Sequence, residues 1–274
     1  MSWHELDSID APELEPFREV RSRNLTEQSG YFIAEGPILV QELLASDYDC
    51  QSLLVGAKHR DRFDALEYSK STNVYCLPEA LVEKLVGFPF HRGIMGCGLR
   101  KPRQSLDDSR IRNKLKIGVG ETITGLEGIH DPENLGGIIR SCAALGIQRV
   151  LLGPGCADPF SRRALRVAMG TTMRVELLHS EALDNLLPEL KAEHNLTSFA
   201  ASLSSETVPL KHMTRSGPVI VLFGNEKRGI SDETLKKVDH QICIDMHLGV
   251  DSLNVNVAAG IVLHYFTEIL EFKD

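Results

Sequence analysis

Residues 219–223 read VIVLF, five apolar residues in a row, ending on Gly224 and the polar run Asn225, Glu226, Lys227 and Arg228. A strand without polar alternation must be buried on both faces, as in a parallel sheet covered by helices. The C-terminal half repeats that build. Residues 121–126, 148–152, 198–203 and 241–246 read as strands, and 174–178 as extended chain. Helical patterns at 135–145, 161–169, 180–191 and from Leu253 onward separate them. Such alternation predicts an α/β fold, a mostly parallel sheet with helices on both faces. Ligands in these sheets sit beyond the carboxyl ends of the strands, which directs attention to Gly224 and Met246.

Three stretches share one design of strand, turn and helix start. The last stretch opens at residues 244–260, and from Leu253 onward Val257, Ile261, Tyr265 and Ile269 recur every four positions with Val262 and Phe266 beside them, one face of a helix. Ser252 and Asn254 stand where it begins, as capping residues. In 219–231, Gly224 lets the backbone approach something closely, and Ser231 caps the next helix. In 128–146, Asp131-Pro132 opens a turn, Asn134 caps, and Arg140 lies inside the following helix with its side chain leaning back toward the helix start. Unpaired backbone amides at such ends can face a ligand. Each stretch alone reads equally as an ordinary helix cap.

Together the stretches resemble the three signature motifs of the SpoU (TrmH) RNA ribose 2′-O-methyltransferases, within the SPOUT class. Asn134, Gly136 and Arg140 match the first motif; Gly224, Glu226 and Gly229 the second; Ser252, Leu253, Asn254, Val255, Val257 and Ala258 the third. Two positions depart from the pattern. Asp245 stands where the family has proline, and Asn256 where it usually has serine. The resemblance implies a trefoil-knotted domain, S-adenosylmethionine as cofactor, structured RNA (tRNA or rRNA) as substrate, no metal, and a homodimer for which the apolar helix of residues 257–272 could supply the interface. A SPOUT-like protein that binds RNA without methylating it is the alternative. No G-x-G-x-x-G fingerprint supports a dinucleotide enzyme.

An adenine ring needs an apolar slot edged by backbone polar groups. Leu222, Ile244, Met246 and Leu253 are the apolar candidates, though plain core is the competing reading of their side chains. Gly224 clears the approach. By resemblance Gly224, Ile244 and Leu253 make backbone contacts to the cofactor. Transfer to a ribose hydroxyl requires alignment and loss of a proton. The resemblance assigns Arg140 to chemistry. Guanidinium holds its proton strongly, so a phosphate clamp that lowers the hydroxyl pKa suits it better than a base. Asn134 is expected to fix the ribose or Arg140, Glu226 to orient one of those two, and Ser252 and Asn254 to position the loops and the nucleotide.

The net charge of −8 is awkward for an RNA binder, because phosphate contacts supply most affinity. Its distribution is better suited. Residues 1–17 hold five acids and no Lys or Arg, whereas 91–116 hold eight bases, and 159–175 hold Arg162, Arg163, Arg166 and Arg174 without an acid. Arg92, Arg162, Arg163 and Arg166 are the RNA-binding candidates; a solvated linker and a solvated helix are the bland readings. Residues 1–20 read as a polar extension. Residues 21–100 alternate strands and helices and resemble an L30e-like substrate-binding domain, with Phe32, Glu35 and Gly36 matching one element and Arg92, Gly93 and Ile94, more loosely, another. Residues 101–116 read as a linker and 117–274 as the methyltransferase domain. Six scattered cysteines without a C-x-x-C pair suggest buried thiols in a reducing cytoplasm. No apolar run reaches the ~18 residues of a membrane span.

Overall fold

The computed structural model describes residues 3–20, 30–64, 66, 69, 72–204 and 207–270. The expected domain start at Arg21 and the expected helix end at Phe272 lie outside the described residues. The chain forms two compact units, Met1–Pro102 with Pro159–Met173, and Arg103–Asp158 with Arg174–Asp274.

The first unit is built on a mixed five-stranded sheet. Its strands are β1 (Trp3–Glu5), β2 (Tyr31–Glu35), β3 (Cys50–Gly56), β4 (Asn73–Leu77) and β5 (Ile94–Leu99), in the order β1-β4-β3-β5-β2. Helices α1 (Pro37–Ala45) and α2 (Glu79–Val86) connect them. Residues 1–20, read from their charge as an appendage, are part of this unit. β1 extends the sheet alongside β4, and the short 3-10 helix Pro12–Phe17 sinks Leu14 and Phe17 into the core. Two large apolar side chains three residues apart outweigh the surrounding acids there. Pro159–Met173 also packs here, although its place in the sequence is in the C-terminal half. The Phe160 ring lies 4.9 Å from that of Phe32 and 5.4 Å from that of Tyr48. A short helix, Arg162–Val167, follows, capped by Ser161, whose hydroxyl accepts from the Ala164 N–H at 3.3 Å.

The second unit carries eight strands, all parallel: β6 (Gln104–Ser105), β7 (Thr122–Leu126), β8 (Arg149–Leu152), β9 (Glu176–His179), β10 (Thr197–Ala201), β11 (Val208–Pro209), β12 (Val219–Phe223) and β13 (His240–Cys243). Their order is β11-β13-β10-β12-β7-β8-β9-β6. Residues 101–116, expected as a linker, thus supply a strand to this sheet. Helices α3 (Pro132–Ala144), α4 (Leu183–His194) and α5 (Val255–His264) belong to the unit, and α5 runs on as a π-helical turn, Tyr265–Ile269. After β7 the chain builds outward through β8 and β9, then returns to the other side for β10, β12 and β13. The direction reverses between β7 and β12, which pair with Leu126 opposite Phe223. Loops leaving two such strands diverge and open a crevice.

Among the described residues no helix is long and apolar enough to cross a membrane. All six cysteines are free thiols, and burial pushes those of Cys97 and Cys142 up to about 12.

Candidate active site

Three loops meet at that crevice. The first follows β7. Asp131, not Asn134, caps α3, its Oδ1 accepting from the Glu133 N–H at 2.9 Å. The helix starts at Pro132, the first-turn position that suits proline. Asn134 therefore lies within the first turn, and its side chain is released from capping to reach across to other loops.

The second loop follows β12 and is closed on itself. Asn225 and Gly229 exchange backbone hydrogen bonds of 3.0 and 2.8 Å, and Gly229 has φ +71°. That left-handed conformation favours glycine. A Cβ on Gly224 would lie 2.2 Å from the Gly229 carbonyl carbon, so the loop closes tightly over this position. Asn225 Nδ2 donates to the Gly128 carbonyl at 2.8 Å and joins the second loop to the first.

The third loop leads into α5. Asn254 caps the helix, its Oδ1 accepting from the Asn256 N–H at 2.9 Å. Ser252, expected as a cap as well, makes no capping bond and lies on the cleft wall instead. Asn254 Nδ2 donates to Asn134 Oδ1 at 3.0 Å, and Asn134 Nδ2 donates to Glu226 Oε1. Glu226, Asn134 and Asn254, one from each loop, form a single directed chain of hydrogen bonds. Glu226 takes Asn134 as its partner, one of the two expected. Arg140 stands exposed on α3, outside this chain, with no hydrogen-bond or ion-pair partner among the described residues.

Beside the chain lies a cleft of about 370 Å³, lined in part by Phe223, Gly224, Ile244, Met246, Leu253 and Val262. Leu222, expected on its wall, is absent from it. Its side chain is 0% exposed, in the core with Ile123, Leu151 and Ile220. Strand side chains alternate between faces, so Phe223 takes the cleft side and Leu222 the other. A run of five apolar residues carries no signal of which face is which, and that is why Phe223 was missed. Val262 was read only as part of a helix face. Asp245 projects between Ile244 and Met246 and receives a 2.7 Å bond from Lys211 Nζ, which holds its carboxyl below the usual carboxylate range.

The four candidate RNA-contacting arginines belong to the first unit and divide into two pairs. Arg92 and Arg162 flank Glu35, itself only 7% exposed, with Nε–Oε distances of 3.6 and 3.1 Å. The Arg162 guanidinium also lies 4.4 Å from the centre of the Phe88 ring. Arg163 and Arg166 are exposed. Among the described residues no group of three or more His, Cys, Asp or Glu converges as metal ligands.

The chain is similar to known proteins in sequence and in fold. An uncharacterized tRNA/rRNA methyltransferase of Mycobacterium bovis is 29% identical over 93% of this chain and 88% of its own. A 23S rRNA (guanosine-2′-O-)-methyltransferase of Acinetobacter baylyi is 30% identical over 67% of this chain and 73% of its own. Among solved structures, an AdoMet-bound rRNA methyltransferase from Sinorhizobium meliloti superposes with a TM-score of 0.82 over 98% of this chain and 99% of that one, at 23% identity, and so shares the fold. The model of the SpoU rRNA methylase family matches residues 121–264, the span that holds all three loops. With more than half its length inside that match, the chain belongs to the SpoU rRNA methylase family.

Proposed function

We propose that this protein transfers a methyl group from S-adenosylmethionine to a ribose 2′-hydroxyl of a structured RNA, tRNA or rRNA, in the cytoplasm. The observation that carries the reading is the hydrogen-bond chain Glu226–Asn134–Asn254, which joins one side chain from each loop and meets the cleft at Glu226.

The cleft fits the cofactor. Its volume is within the usual range for small-molecule sites. Phe223, Ile244, Met246, Leu253 and Val262 offer apolar wall, and the bare Gly224 keeps backbone polar atoms of its loop close to the space. Bound there, S-adenosylmethionine supplies an electrophilic methyl on a sulfonium centre. The chain's own residues do the rest. Asn134 and Asn254, locked by their mutual bond and by Glu226, hold the acceptor ribose. Ser252 fixes the third loop at the cleft wall. Arg140, exposed and without a partner among the described residues, clamps the RNA phosphate, and its charge favours loss of the hydroxyl proton.

RNA is gripped by the first unit through Arg163 and Arg166, with Arg92 and Arg162 held in place by Glu35. The active form is a homodimer. In support, α5 and its π-helical extension expose Val257 (50%), Ile261 (42%) and Ile269 (56%), large apolar side chains along one helix side.

The test is methyl transfer from labelled S-adenosylmethionine to bulk RNA, followed by mapping of ribose methylation, with Arg140→Ala as the control. Transfer by the wild type, lost in Arg140→Ala with cofactor affinity kept, is the expected result. Cofactor binding without transfer to any RNA would overturn the reading in favour of a binding protein.

A further inference from the structure

The hydrogen-bond chain across the three loops leads on to Asn256, the position of the third motif where serine is usual. Asn254 Oδ1 accepts from the backbone N–H of Asn256, and the Asn256 side chain then turns onto α3. A Cβ built on Gly137 would lie 2.3 Å from Asn256 Nδ2, 2.5 Å from Cγ and 2.6 Å from Oδ1. The amide therefore rests against the bare Cα of Gly137. It is half-buried, and among the described residues its side-chain atoms make no hydrogen bond.

Gly137 precedes Arg140 by three residues on α3, so the two share one side of the helix. The Arg140 side chain leans back toward the turn that holds Gly136 and Gly137, where no Cβ obstructs it. The Asn256 amide, without a hydrogen-bond partner among the described residues, thus lies against the turn toward which a helical arginine at position 140 extends its five donors. Mere filling of the space above Gly137 accounts for the amide's volume. It makes no use of the amide oxygen, which stays open to solvent and so to an incoming donor.

We propose that Asn256 is a positioning residue for the methyl transfer: its Oδ1 accepts a hydrogen bond from the Arg140 guanidinium and aims it at the RNA phosphate. The proposal rests on the reading of Arg140 as phosphate clamp. It extends the Glu226–Asn134–Asn254 chain, so that a single network sets both the ribose-holding asparagines and the arginine.

Five variants test it: Asn256→Ala, Asn256→Leu, Asn256→Asp, Arg140→Ala, and Asn256→Ala combined with Arg140→Ala. The measurements are kcat, RNA Kd, S-adenosylmethionine Kd and Tm. Asn256→Ala and Asn256→Leu are expected to lower kcat about tenfold and to weaken RNA binding several-fold, the scale of one lost charge-assisted hydrogen bond. Cofactor Kd and Tm stay close to wild type. Asn256→Asp, which keeps an acceptor oxygen, retains most activity. In the Arg140→Ala background the Asn256 substitution weakens RNA binding no further. The proposal is overturned if Asn256→Leu behaves as wild type, if Asn256→Asp fails as badly as alanine, or if the two RNA-binding losses add. An Arg140→Ala enzyme as active as wild type overturns the clamp reading and this proposal together; Arg140→Ala inactive with Asn256→Leu unaffected overturns this proposal alone.

Discussion

Replacing Gly224 by alanine adds one methyl group at the point where the second loop closes. The glycine's φ is not in the left-handed region, so the cost is steric rather than conformational. The new Cβ would lie 2.2 Å from the Gly229 carbonyl carbon, 2.3 Å from the Ile230 nitrogen and 2.5 Å from the Gly229 oxygen. All three are backbone atoms, so no side chain can swing aside. The loop must open, and the two Asn225–Gly229 backbone bonds are the contacts that yield. Two such bonds at about 1 kcal/mol each, or an overpacking cost of about 1–3 kcal/mol, give the same figure of about 2 kcal/mol. For a chain of this size that lowers Tm by roughly 4–8 °C. Because the moved loop lines the cleft and carries Glu226, S-adenosylmethionine Kd should rise about tenfold or more, the equivalent of at least ~1.4 kcal/mol. Calorimetry on the purified variant reads the Kd, and a thermal melt reads the stability. A Gly224→Ala protein with wild-type Tm and wild-type cofactor affinity would refute both the tightness of the closure and its place in the site.

Other substitutions separate core from cleft and one unit's role from the other's. Leu222→Ala should cost about 2–5 kcal/mol of stability by opening a core cavity, whereas Met246→Ala should weaken cofactor binding with little change in Tm; the reverse pattern, read by melts and calorimetry, would contradict the assigned faces. Arg163→Glu with Arg166→Glu should weaken RNA binding and flatten its salt dependence, measured by filter binding from low to moderate salt; unchanged affinity would remove the exposed pair from the RNA face. Ile261→Asp should shift the protein toward monomer in sedimentation, and an unaltered mass would exclude that helix side as the interface. Burial raises the Asp239 carboxyl, but Lys191 Nζ at 2.6 Å and the Ser198 N–H and hydroxyl, each at 2.8 Å, more than reverse this and leave it below the usual range. A depressed folded pKa gives stability that is present above the unfolded value of about 3.9 and lost as pH falls through the folded one. Asp239→Asn should therefore lower stability at neutral pH and shrink the gap from wild type below about pH 4 in acid melts.

Much of this was legible in the chain because the second unit obeys simple periodicities. The apolar run ending at Gly224 gave β12 to the residue, and the capping role of Asn254 followed from its place before a four-residue apolar repeat. What was hidden follows from physics that a linear reading does not contain. Asp131 and Asn134 are both good caps, and proline at the first helical position decides between them only once the helix is seen. The face of Leu222 could not be read from a run without alternation. Residues 1–20 look polar by count, yet a single 3-10 turn carrying Leu14 and Phe17 is enough to anchor the segment. The hydrogen bonds among Glu226, Asn134 and Asn254 join residues 92 and 120 positions apart, and only the strand order brings them together.

The path of the chain through the first unit bears on how the protein is made. Phe32 and Tyr48 emerge from the ribosome early, but the ring that covers them, Phe160, is encoded after β6, β7, α3 and β8 of the other unit. A nascent chain that has reached Leu99 has every strand of its first sheet and still shows a bare aromatic surface. Synthesis must interleave the two halves, each waiting on the other, and a fragment stopped at Pro102 would carry that sticky surface permanently, as a natural target for chaperones or for self-association.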